Sequence, residues 1–165
     1  MKEPSAQPAP MPDRDGAGSR YEEGLRIRSE VLGAEHVERS LAQASAFATP
    51  MQELVTEYCW GAAWGRPGLT RRERSLINLG MLTALGRSHE LRVHVRGAVT
   101  NGCTRREIQE ALLQAAVYAG IPAGMEAFRV AEAAIEELEA AGVTVPDDVD
   151  RAAERDGRAA NRETA

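Results

Sequence analysis

The chain has 165 residues and a formal net charge of −5, enough length for one domain with its own core but the wrong sign for a nucleic-acid surface. Only 4% of the residues are aromatic, too few for a base-stacking platform, and no apolar run is long enough to span a bilayer. Two lone cysteines, Cys59 and Cys103, and an N-terminus without a basic segment leading into an apolar one predict a soluble, cytoplasmic protein without a disulfide framework.

Residues 1–19 are rich in Pro, Ala, Gly and charge, and residues 146–165 carry no apolar stripe. Neither end has enough apolar surface to offset the entropy of ordering, so both are expected to be disordered around a domain at 20–145. Within that domain a first helix is expected from Tyr21 to Leu32, stopped by Gly33, and a second from Ala34 to Ala46. Thr49-Pro50 opens a third, with Thr49 as cap and Pro50 at the first helical position. Thr70-Arg-Arg-Glu73 and Thr104-Arg-Arg-Glu107 both match the capping box. Gly86, Gly102, Gly120 and Gly142 stand where helices end, and Pro122 starts a last helix running to about Ala141. No segment alternates as a strand does. The fold class is all-α, with about six or seven helices joined by short loops.

Chemistry is expected between Glu57 and Gly102. Glu90 and His94 are spaced i, i+4 on one helix, and a carboxylate beside an imidazole fixes its tautomer and raises its pKa. Such a His donates a proton or stabilises an oxyanion near neutral pH; the same spacing equally suits a surface ion pair. Arg74 shares a helix face with Ile77, Met81 and Ala84, which points its guanidinium toward the core. A guanidinium there grips a substrate carboxylate or closes an internal salt bridge, to Glu90 or Glu57. Arg66 sits in a Gly-Arg-Pro-Gly loop, aimed at a cleft or simply exposed. Trp60, Trp64 and Tyr58 are candidate apolar walls, or core and subunit contacts. Cys59 and Cys103 lie in no CxxC and read as packing residues; His36 and His89 read as surface. Three scattered histidines argue against a metal site, and neither a P-loop nor a GxGxxG is present.

From Tyr21 to Ala141 the chain resembles the carboxymuconolactone decarboxylase family. The specific tracts are Trp60-Gly61, Trp64 and Arg66-Pro67-Gly68-Leu69, then Gly86-Arg87, Glu90-Leu91, His94-Val95, Gly97-Ala98 and Asn101. The wider superfamily includes alkyl-hydroperoxidase-D-type thiol peroxidases, whose CxxC precedes a His by three residues. With His94 in that place the two cysteine positions fall on Arg87 and Glu90, so the redox pair is missing.

The resemblance implies an alkyl-hydroperoxidase-D-like helical bundle assembled as a trimer or hexamer, with no metal and no organic cofactor. It implies loss of CO₂ from 4-carboxymuconolactone to give 3-oxoadipate enol-lactone in protocatechuate catabolism. On that reading His94 and Glu90 are the catalytic pair, and Arg66, Arg74, Trp64 and Tyr58 bind the substrate. A decarboxylase or isomerase of a related lactone or β-keto acid, and a non-catalytic helical oligomer, are the alternatives.

Overall fold

Seven α-helices and one π-helix make up the regular structure of residues 20–147, the part of the chain that the computed structural model describes. The expectations for residues 1–19 and 148–165 lie outside the described residues. In order the helices are α1 (Arg20–Leu32), α2 (Ala34–Ala42), α3 (Thr49–Leu54), the π-helix (Val55–Trp64), α4 (Arg71–Ala84), α5 (Ser88–Thr100), α6 (Arg105–Ala119) and α7 (Ile121–Ala140). Among the described residues there is no strand, as the sequence implied.

The capping signals place the helices that matter most. Thr70 Oγ1 accepts from the Glu73 amide at 3.2 Å while Glu73 Oε2 accepts from the Thr70 amide at 2.7 Å. Thr104 and Glu107 repeat the arrangement at the start of α6. Each box satisfies two backbone donors that a helix start would otherwise orphan. Two expected boundaries differ. The second helix ends at Ala42, four residues early, and Ala48 rather than Thr49 caps α3. Thr49 uses its hydroxyl to donate to the Ser45 carbonyl, so the local turn takes the group that would have capped the helix.

Two apolar clusters hold the fold. The larger joins α4 to α7 through Leu79, Leu91, Val95, Ala98, Ile108 and Leu112 among others. The smaller packs Ile27 and Val31 of α1 against Trp60, with Trp64 beside them. Helix α5 serves both: Leu91, Val95 and Ala98 face the larger cluster, while Gly97 abuts Val31 and Leu32 of α1. That double packing leaves His94 between the bundle and the π-helix. After α7 the chain turns back, buries Val145, and gives the Pro146 carbonyl to the Arg105 amide at 2.8 Å.

Candidate functional site

Helix α5 carries His94 into a wall made by the π-helix. Its ring lies 6.1 Å from the Trp60 ring, nearly parallel at 7°, and 6.4 Å from the Trp64 ring at 30°. The two indoles contact each other at 4.8 Å. The two rings stand i, i+4 on the π-helix, and π turns concentrate at functional sites. Trp60 is buried and Trp64 partly so. The indoles desolvate the imidazole, and this burial lowers its pKa below the ordinary 6.5. Glu90 pulls the other way by its charge, and more weakly. The net shift is therefore downward, opposite to that expected of a Glu–His pair.

The polar neighbour of the ring comes from α4. The Asn78 amide nitrogen stands 3.5 Å from Nδ1 of His94, a long hydrogen bond. With the amide N–H donating, Nδ1 accepts and the ring proton sits on Nε2. Asn78 was not singled out in the sequence. Its signal was a poor helix former lodged among Leu76, Ile77 and Leu79 in the middle of a helix.

Arg74 precedes Asn78 by one turn on the same face of α4, held in register by the Thr70–Glu73 box. Its Nη2 donates to the Arg66 carbonyl at 2.9 Å. Its Nε is buried and has no hydrogen-bond partner. A buried, unused guanidinium N–H costs free energy until an acceptor meets it. Arg66 contributes its carbonyl to this arrangement, and its own side chain is exposed. His94 thus groups with Trp60, Trp64 and Asn78, while Arg74 bonds the Arg66 carbonyl and shares a face of α4 with Asn78.

Glu90 and Tyr58 stand apart. Glu90 is exposed and reaches the ring through its charge. Tyr58 is half exposed, two residues before buried Trp60, and Phe47, Met51 and Leu54 are exposed as well. Cys103 is buried, its thiol pushed up to about 11 by burial, as fits a packing residue. Cys59 is exposed, so within this chain it packs against no core. Among the described residues no three or more His, Cys, Asp or Glu side chains group as metal ligands would. A groove of about 840 Å³ between α4 and α6 contains none of the site residues. Its apolar walls include Ile77, Met81, Leu113, Val117 and Tyr118.

A family model described as the carboxymuconolactone decarboxylase family matches residues 49–133, which hold every site residue named above. Over 118 residues the chain is 47% identical to a nitrosuccinic acid decarboxylase of Metarhizium robertsii, covering 72% of this chain and 82% of that one. Over 119 residues it is 44% identical to a 4-carboxymuconolactone decarboxylase of Acinetobacter baylyi, covering 72% and 89%. An uncharacterized 15.0 kDa protein of Paracoccus denitrificans is 35% identical over 85 residues, covering 50% and 63%.

Proposed function

The chain belongs to the carboxymuconolactone decarboxylase family and is a carboxy-lyase, and from that membership we propose that it decarboxylates 4-carboxymuconolactone without a cofactor. The product is the enol-lactone of 3-oxoadipate, and the setting is cytoplasmic protocatechuate catabolism. The observation that carries the reading is the imidazole of His94, set against Trp60 and Trp64 with the Asn78 amide beside Nδ1.

The leaving carboxylate of this substrate sits on a ring carbon vinylogous to the lactone carbonyl. When the C–C bond breaks, its electron pair moves through the ring alkene onto the carbonyl oxygen. The substrate is its own electron sink, and the protein has to hold the anion and stabilise the new oxyanion. A neutral Nε2–H aimed at that oxygen does the second task, worth about 10²–10³ in rate for one positioned donor. A neutral imidazole is a poor proton donor to carbon, because that would leave an imidazolate. His94 is therefore the oxyanion donor, and the proton that replaces CO₂ comes from solvent. Arg74 holds the acetate that does not react, through the Nε that has no protein partner. The indole of Trp64 faces the leaving carboxylate, whose loss is favoured where water is thin. Glu90 tunes the ring by its charge, and Arg66 supports Arg74.

One observation favours a second reading: a relative of similar identity is named for nitrosuccinic acid. Nitrosuccinate also carries two carboxylates, and loss of the one beside the nitro group sends the electron pair onto nitro oxygens. The same donor and the same guanidinium suit it. Initial rates of CO₂ release from both substrates, measured side by side on purified protein, decide between them. The first reading requires kcat/KM for the lactone to exceed that for nitrosuccinate; the reverse order replaces it with the second.

The assembly we propose is a trimer or hexamer. Its support is the amount of apolar surface left bare: Phe47 is 96% exposed, Tyr118 85% and Val117 76%. Exposed Phe47, Met51, Leu54 and Tyr58, and the α4/α6 groove, supply such surface. Large apolar side chains left this bare fit contacts with further copies better than they fit water.

A further inference from the structure

Among the described residues Arg28 is the charged residue that the fold buries, at 6% exposure. Its partners are neutral. Nη1 donates to Thr56 Oγ1 at 3.0 Å, and Nη2 donates to Gln52 Oε1 at 2.9 Å and to Ser40 Oγ at 3.4 Å. Nothing accepts from Nε. The groups whose charge bears on it are the Tyr21 phenol and the Cys59 thiol, and desolvation dominates both. A buried cation in such surroundings is a poor source of stability, and an apolar side chain of similar size often serves as well.

Its acceptors explain what stability does not. Gln52 lies in α3 and Thr56 lies in the π-helix, so one guanidinium grips the chain on both sides of the junction at Leu54–Val55. One turn earlier on α1, Gly24 presses on the same residue: a Cβ there would stand 2.0 Å from the Thr56 carbonyl oxygen. Thr56 is thus held through its hydroxyl and against its backbone. Trp60 follows it by one turn and Trp64 by two, and both face His94. A lysine has neither the planar fork nor the number of donors to make these bonds together.

We propose that Arg28 is a positioning residue, fixing the start of the π-helix so that Trp60 and Trp64 stand against His94. Without its grip the segment is free to return to α-helical register, which rotates Trp64 about the helix axis away from the imidazole. Arg28 touches neither the ring nor the substrate in this account, and the inference rests on His94 as the reacting group.

The test compares Arg28→Met and Thr56→Val with the wild type in the full-length protein. Two readings are taken: the His94 titration by NMR, which needs no substrate, and kcat with KM for decarboxylation. Titratable influence on the ring comes from Glu90, which both variants keep. We expect the His94 pKa to rise toward its ordinary value and kcat to fall about tenfold to a hundredfold, the scale of a misplaced catalytic group. KM should stay within about threefold. Thr56→Val deletes the π-side acceptor alone and should move both readings the same way. Arg28→Lys should recover little. A change in Tm with the titration and kcat unmoved in the folded variants overturns the inference, and so does failure of both variants to fold. A shifted titration in a protein that turns over no lactone supports the positioning role and removes the substrate reading alone.

Discussion

The imidazole of His94 lies nearly parallel to the buried indole of Trp60, 6.1 Å away, with Trp64 closing the same side. The ring is buried beside these indoles, and burial outweighs the opposing charge of Glu90. Water is displaced from one face, the cationic form loses hydration, and the neutral donor is the form present at pH 7.

The first prediction follows from that direction. By NMR the His94 ring should titrate below 6.5. Glu90→Gln should lower it further, because the Glu90 charge supports the cation. Trp64→Ala should raise it by letting water in. The linkage to stability has a definite sign. A His whose folded pKa is depressed binds fewer protons folded than unfolded, so its stability contribution is full above about pH 6.5 and is lost as the pH falls toward the folded pKa. Chemical denaturation at a series of pH values should show the wild type losing stability relative to His94→Gln below that point. A ring that titrates above 6.5 contradicts the indole wall.

Asn78 gives the second. Asn78→Ala removes the donor at Nδ1 and frees the tautomer, and kcat should drop about tenfold, within the range of a lost hydrogen bond. Asn78→Asp should do more. A carboxylate there accepts from Nδ1–H, moves the proton off Nε2 and raises the ring pKa. Wild-type kinetics in both variants would show that the amide plays no part.

Arg74 gives the third. Its contact with the non-reacting carboxylate is made equally in the ground and transition states, so Arg74→Ala should raise KM and spare kcat. A charged hydrogen bond of about 1.5–3 kcal/mol corresponds to roughly a tenfold to hundredfold change. An effect confined to kcat would place Arg74 at the reacting end instead.

The helical fold was legible because its signals are local. The two capping boxes and the glycine stops Gly86, Gly102, Gly120 and Gly142 each act within a few residues, and all four glycines have positive φ. The site was legible in part. His94, Trp64 and Arg74 could be named from the chain and from a family resemblance. What Nδ1 bonds could not, because Asn78 reaches it from another helix, sixteen residues away. Nor could the direction of the His94 shift, since the i, i+4 carboxylate is visible in sequence and the desolvating indoles are not. Arg28 was missed for the same reason: its partners Ser40, Gln52 and Thr56 are ordinary residues until folding brings them together.

The fourth prediction concerns assembly. Light scattering at micromolar concentration should give the mass of a trimer or hexamer. Val117→Glu with Tyr118→Glu places charge on bare apolar surface and should shift the mass toward a monomer. A monomeric wild type would refute the assembly without touching the chemistry.

The most direct measurement is decarboxylation of freshly prepared 4-carboxymuconolactone by wild type and His94→Ala, with no added metal or cofactor and with CO₂ and enol-lactone both followed. The account predicts stoichiometric CO₂ and enol-lactone from the wild type, and kcat lower by about 10²–10³ in the variant, the scale of a removed oxyanion donor. A folded His94→Ala that matches the wild type would contradict it.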